Sequence, residues 1–252
     1  MIAASPTQLL ILAGVGLFAG WVNTVAGAGS LLLLPALVWS GLPDDAANAT
    51  NRLGILAQTT AAVLGYRRAG IPVGRAEATL TVPAAIGAAL GAWWASSIEA
   101  ADVRTAVLIA MGVALVLTLV PMRVSTPPMP LPRATPGTVL ALFAIGLYGG
   151  FLQAGVGLLV LLYLARAHRV SLVTANVLKS ALVLALSIIA LSVFAVRGET
   201  IDPLRGGVLA CSSALGAVGG ARATLRIGER LVRIFMMLAT AATMLALLLD
   251  GR

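Results

Sequence analysis

Two short polar stretches interrupt long apolar runs in this chain. The first is AGWVNTVAGAGS, residues 19–30, followed by DDAANATNR, residues 44–52. The second is GLYGGFLQAGVGLL from Gly146, followed by VTANVLKS, residues 173–180. Gly27, Gly29, Gly155 and Gly157 can let the backbone leave a helix and come close to a ligand. A helix restarting at Ser30, or near Gly157, would offer unpaired N–H groups and the positive end of its dipole. That chemistry suits a small anion. Asn23, Gln153, Asn48, Asn51 and Asn176 add neutral hydrogen-bonding groups. Asn48 and Arg52 are four apart and Asn176 and Lys179 three apart, so each pair shares a helix face. A cation at membrane depth is costly and lines a cavity or a pathway. Lys179 lies several residues inside its segment and is the stronger ligand candidate. The competing reading for Arg52 and Lys179 alike is that they lie near the surface and snorkel, or cap a neighbouring carbonyl. Gln58, Thr59 and Thr60 are weaker candidates. Asp44 and Asp45 are expected to cap and start a helix. His168 falls in a basic loop, where a solvated surface role is expected.

No phosphate-binding loop, metal-ligand cluster or nucleophile motif occurs, so neither an enzyme nor a metal or cofactor site is expected. The 252 residues are 60% hydrophobic and 10% charged, against about a quarter charged in soluble domains. Windows such as residues 105–120 and 180–196 approach the roughly 20 apolar residues that cross a bilayer. The runs are continuous, which argues against membrane strands. The net charge of +8 does not point to nucleic acid, because the basic residues fall in short loops between apolar runs. The start, MIAASPTQLLILAG, lacks a basic region and is read as the first membrane segment. Cys211, the single cysteine, is expected to be a small packing residue.

The elements that must hold these groups are duplicated. Gly16, Gly20 and Gly27 match Gly146, Gly150 and Gly157 at a constant offset, with Asn23 on Gln153. Asn48 falls on Asn176, and Asn51 on Lys179. The fold class expected is an all-α polytopic membrane protein of two inverted-topology repeats. The first repeat covers 1–121 and the second 137–252, with a proline-rich linker loop at 122–136. Each repeat reads as about five apolar segments: 7–25, 28–41, 48–66, 77–97 and 103–121, then 137–155, 157–166, 172–196, 204–222 and 231–249. The first two of each are short or broken, forming a hairpin or two spans. With the amino terminus outside, the inside loops collect eleven basic residues and the outside loops and termini four. That asymmetry favours an odd number of crossings per repeat, and so inversion. Such repeats recur in secondary transporters, with the substrate site at their interface. Gly16, Gly20, Gly146 and Gly150 fit helix packing instead. Trp93 and Trp94 fit an interfacial belt.

At AGWVNTVAGAGSLLLLPAL, GLPDDAANATNR, GLYGGFLQAGVGLLVL and TANVLKSAL the chain resembles the TauE/SafE, or sulfite exporter-like, permeases. The resemblance spans nearly the whole chain, although Gly27-Ala28-Gly29 replaces a cluster often richer in glycine. It implies a multi-pass permease of the bacterial inner membrane for a sulfur-containing anion such as sulfite, thiosulfate or a short organosulfonate. Residues 23, 27, 29, 30, 48, 51, 52, 153, 155, 157, 176 and 179 would then bind substrate, and one repeat would move against the other. The partners expected are the small anion and the lipid bilayer, not nucleic acid, with a homodimer left open. An uncoupled anion channel and a non-transporting scaffold or assembly factor are the alternatives.

Overall fold

A computed structural model describes residues 4–71, 75–97, 105, 109, 134–168 and 170–224. Eight helices are described: α1 (Pro6–Ala26), α2 (Ser30–Trp39), α3 (Asp44–Arg68), α4 (Arg75–Ala95), α5 (Pro136–Phe151), α6 (Val156–Ala167), α7 (Leu172–Arg197) and α8 (Pro203–Thr224). No strand occurs among the described residues. The expected segments 103–121 and 231–249 lie outside them but for residues 105 and 109, as does nearly all of the 122–136 linker.

Local chemistry sets the helix ends. Ser5, Thr135 and Ser171 accept hydrogen bonds from the backbone N–H three residues on, which starts α1, α5 and α7. Asp44 and Asp45 lie in the first turn of α3, whose N-cap is Pro43. They favour that start through the helix dipole, not through a side-chain cap. Gly27 ends α1 at φ 75° and donates its N–H to Asn23 O at 2.8 Å. That left-handed conformation costs glycine nothing.

The packing is inverted relative to a water-soluble protein. Arg52, Lys179, Asn51, Asn176 and Gln58 are buried, while Leu10, Phe18, Trp93, Trp94, Leu140 and Leu215 are exposed. An apolar exterior around a polar interior fits a hydrocarbon solvent. α1 and Val173–Arg197 are long and apolar enough to cross a bilayer, and α2, Leu80–Ala95, α5 and α6 are shorter apolar helices. Cys211 is exposed, so it faces outward from α8 and does not pack in the interior as expected.

The first helix of each repeat crosses the fourth helix of the other. A Cβ on Gly20 would lie 2.1 Å from Ser213 O, and one on Gly216 would lie 2.0 Å from Leu17 O. At the matching crossing, Cβ atoms on Gly146 and Gly150 would lie 2.1 and 2.0 Å from Ala84 O and Ala88 O. These are small-residue seams where backbones nearly touch. The order of the contacts makes α1 parallel to α8, and α5 parallel to α4. The two third helices run antiparallel in the centre. Arg52, early in α3, lies 4.4 Å over the ring of Phe194, late in α7, while Ala62 and Tyr66 cluster with Val177 at the other end.

Candidate functional site

The two broken segments meet back to back. A Cβ on Gly27 would lie 2.5 Å from the carbonyl carbon of Gly157, and one on Gly157 would lie 2.8 Å from Gly27 O. Their missing side chains are used by each other. Gly29 is equally tight, since its Cβ would meet Ala19 O at 1.9 Å. Gly27, Gly29 and Gly157, expected to let a ligand approach, each have neighbouring backbone against the missing Cβ in this conformation. Ser30 Oγ accepts the N–H of Gly155 at 2.9 Å and ties one break to the other. α6 starts at Val156, after Gly155 at φ 71°. Gln153 also holds a left-handed backbone, at φ 61°, which is unfavourable for a residue with a side chain. Its carboxamide fixes that strain, accepting from Arg52 Nη1 at 2.9 Å and donating to Ser187 Oγ at 3.1 Å. Tyr148 OH donates to Ala154 O and braces the same turn.

A helix that stops inside an apolar interior leaves carbonyls with no intrahelical partner. Here each repeat supplies the missing donors to the other. Lys179 Nζ donates to Asn23 O at 2.6 Å, Thr24 O at 2.9 Å and Asn176 Oδ1 at 2.6 Å. Asn176 Nδ2 donates to Val25 O at 3.1 Å. Together they close the end of α1. At the end of α5, Arg52 Nη1 donates to Gly149 O at 3.1 Å, Arg52 Nη2 to Gly150 O and to Phe151 O at 3.4 Å, and Asn48 Nδ2 to Phe151 O at 2.9 Å. Of the two readings for Arg52, carbonyl capping is the one observed. Capping applies to Lys179 as well, whose three N–H groups are all used. Lys179, expected to be the stronger ligand candidate, has no N–H left over in this conformation.

What remains unpartnered is specific. Arg52 Nε, both carboxamide atoms of Asn51, both of Gln58, Asn23 Oδ1 and Asn48 Oδ1 are buried without a hydrogen bond. Leaving such a group unsatisfied costs about 1–3 kcal/mol, more for a charged one. Most of these atoms belong to α3, which makes α3 the chemically open wall of the centre. Thr59 and Thr60 bond back to their own helix at Ile55 O and Leu56 O, the ordinary fate of such hydroxyls.

The charge left at the centre is positive. Each break joins the carbonyl end of one helix to the amide end of the next, so the roughly half-unit charges of the two ends nearly cancel. The positive charges of Arg52 and Lys179 remain, and their hydrogen bonds all run to neutral oxygens. No cluster of three metal-ligating side chains occurs among the described residues.

Residue chemistry alone missed three features. Phe194 lies under Arg52, and Ser187 holds Gln153. A buried ion pair, Asp202–Arg205 at 2.5 Å, also donates from Arg205 Nη2 to Ser40 O at 2.9 Å. Only the acid-to-base spacing of three in DPLR signalled the last of these. His168 packs edge-on to Tyr163 and lies 3.5 Å from Thr138 Oγ1. It is half-buried rather than solvated, and it is far in sequence from the capped helix ends.

Comparison with known proteins adds an independent line. The family model described as "Sulfite exporter TauE/SafE" matches residues 12–247. The probable membrane transporter protein YfcA of Escherichia coli strain K12 is 26% identical over 249 residues, covering 98% of this chain and 92% of that protein. The probable membrane transporter protein ORF9 of a Sinorhizobium species is 26% identical over 236 residues, covering 92% of this chain and 89% of that protein.

Proposed function

We propose a transport cycle from one premise: this chain belongs to the TauE/SafE sulfite exporter family. It is a membrane transporter. Our reading is that it is a multi-pass permease of the bacterial inner membrane and carries a small sulfur-bearing oxyanion. One observation carries the anion reading. Arg52 is fully buried, bonds only to neutral oxygens and keeps Nε–H without a partner. A bound anion would complete that donor, with Asn51 one residue away. The remaining members of the expected set, Asn23, Gly27, Gly29, Ser30, Asn48, Gln153, Gly155, Gly157, Asn176 and Lys179, shape and charge the centre around it.

Alternating access would come from one repeat moving against the other. Each repeat grips the broken helix of its twin, so that movement would have to release or carry these caps. The antiparallel α3 and α7 support an inverted arrangement of the repeats. The test is thermal unfolding of the purified protein in sulfite, thiosulfate or methanesulfonate, against chloride at matched ionic strength. Binding to the folded state raises the midpoint with concentration. A midpoint indifferent to all three sulfur anions would sink the reading.

A further inference from the structure

We propose that Gln58 contacts the transported ion and selects forms of it that carry a hydrogen donor as well as acceptor oxygens. The inference rests on the anion-transport reading above. Gln58 is fully buried, and neither Oε1 nor Nε2 has a hydrogen-bond partner. Asn51, two turns earlier, is in the same condition. At about 100° per residue, both lie between two occupied faces of α3. One is the face that Gly54 and Thr50 turn to α8. The other is the face from which Asn48 and Arg52 cap α5. Two complete carboxamides share one interior strip of α3, the helix that also carries the unused Arg52 Nε.

The duplication supplies an internal control. Pairing Asn48 with Asn176 aligns Gln58 with Leu186. Leu186 is fully buried and belongs to the main apolar core. The same place in the same fold therefore accepts leucine in one repeat. Packing does not require an amide there, and leaving one bare is costly. Gln58 is thus a difference between repeats that the architecture does not explain.

The chemistry of the amide restricts its guest. A carboxamide offers two donors and an acceptor. A fully deprotonated oxyanion has acceptors only, so it would leave Oε1 bare or turned toward like charge. Hydrogen sulfite, or a short sulfonate with a hydroxyl or ammonium group, would satisfy both ends.

The experiment uses full-length protein and Gln58→Leu, which copies the second repeat. Sulfite binding is measured on the acid and alkaline sides of the hydrogen sulfite–sulfite ionisation, beside methanesulfonate, which has acceptor oxygens only. The buried charged groups on the helices packed around α3 are Arg52 on α3 itself, Lys179 on α7, and Asp202 and Arg205 at α8, the last two paired with each other. The described parts of α1 and α2 carry no charged residue. Methanesulfonate therefore controls for titration of the protein. Wild type is expected to prefer the hydrogen-bearing form, and Gln58→Leu to lose about tenfold of that preference measured relative to methanesulfonate, as for one hydrogen bond removed. Should the leucine variant not fold, Gln58→Asn, which withdraws the amide by one methylene, is expected to weaken the same preference. Wild-type preference in the folded variant overturns the proposal and makes Gln58 a buried, hydrated amide. A wild-type protein that binds sulfite and methanesulfonate alike on both sides also overturns it, leaving anion transport intact. A wild-type protein that binds neither probe overturns both readings.

Discussion

Lys179 of the second repeat and Asn23 of the first are joined by a 2.6 Å hydrogen bond from ammonium to main-chain carbonyl, at the point where α1 stops. Asn23 O also accepts the N–H of Gly27, so the cation reinforces that carbonyl and closes the helix end through its further bond to Thr24 O. Lys179→Met keeps the length and leaves Thr24 O and Asn176 Oδ1 bare. We expect the thermal midpoint in detergent to fall by the equivalent of about 1–3 kcal/mol. A variant as stable as wild type would show that the closure contributes nothing.

Arg52 should behave differently, because it is both closure and donor. Arg52→Lys keeps the charge, but an ammonium has three N–H groups and lacks the planar fork. The carbonyls of Gly149, Gly150 and Phe151, with Gln153 Oε1, already exceed that number. Sulfite affinity should fall by about tenfold or more, equivalent to about 1.4 kcal/mol, and by more than in Lys179→Met. Equal losses in a binding titration of the two variants would contradict this division of roles.

Gly27 and Gly41 both have positive φ, but only Gly27 has backbone against the missing Cβ. Gly41→Ala should cost about 1 kcal/mol, the strain of the left-handed conformation alone. Gly27→Ala must also push Gly157 away, so its cost should be several times larger. Comparison of unfolding midpoints tests the back-to-back contact directly, and similar values would refute it.

The Asp202–Arg205 pair is outside the broken centre and gives a pH test. Burial alone would raise the Asp202 pKa, but the backbone N–H and the guanidinium of Arg205 prevail and hold it below the usual carboxylate range. A lowered folded pKa stabilises at pH above the unfolded value of about 3.9 and loses that contribution as pH falls toward the folded value. Asp202→Asn should lower stability at neutral pH, where Arg205 loses its acid, and flatten the acid limb of the stability profile. A variant whose acid limb matches wild type would remove Asp202 from the acid response.

The topology is open to reporter fusions. The turns after α3, at Gly70, and after α6, at His168, are expected on the cytoplasmic side. The turn at Gly198, after α7, is expected on the opposite side. A Gly70 and a His168 fusion that report different compartments would break the odd-crossing scheme.

The boundaries of the helices were legible in sequence because capping and termination are local. Ser5, Thr135 and Ser171 sit where their helices start, and Gly27 and Gly198 where theirs stop. The polar centre was legible too, since asparagine, arginine and lysine inside apolar runs are too costly to face lipid and must turn inward. The use made of each group was not. Asn48 aligns with Asn176, but Arg52 aligns with Ser180 and Lys179 with Asn51. The two repeats therefore reach the same carbonyl-capping result with cations one position out of register, at i+4 and i+3. Only three-dimensional reach explains that. Likewise, a glycine that admits a ligand and a glycine that admits another glycine are identical in sequence, as Gly27 and Gly157 illustrate.

The exchanged helix crossings constrain how the molecule is made. Gly20 finds its backbone neighbour at Ser213, which leaves the ribosome only after most of the chain. α1 must therefore wait in the bilayer with its small-residue groove unfilled while later helices are inserted. A severed first half would keep that groove bare and would lack Lys179 to close α1. Co-expressed halves would have to assemble by trading helices, as in a domain-swapped dimer, and not by docking two finished bodies. On this geometry the two copies would have to mature together, since each supplies the backbone neighbour of the other's first helix.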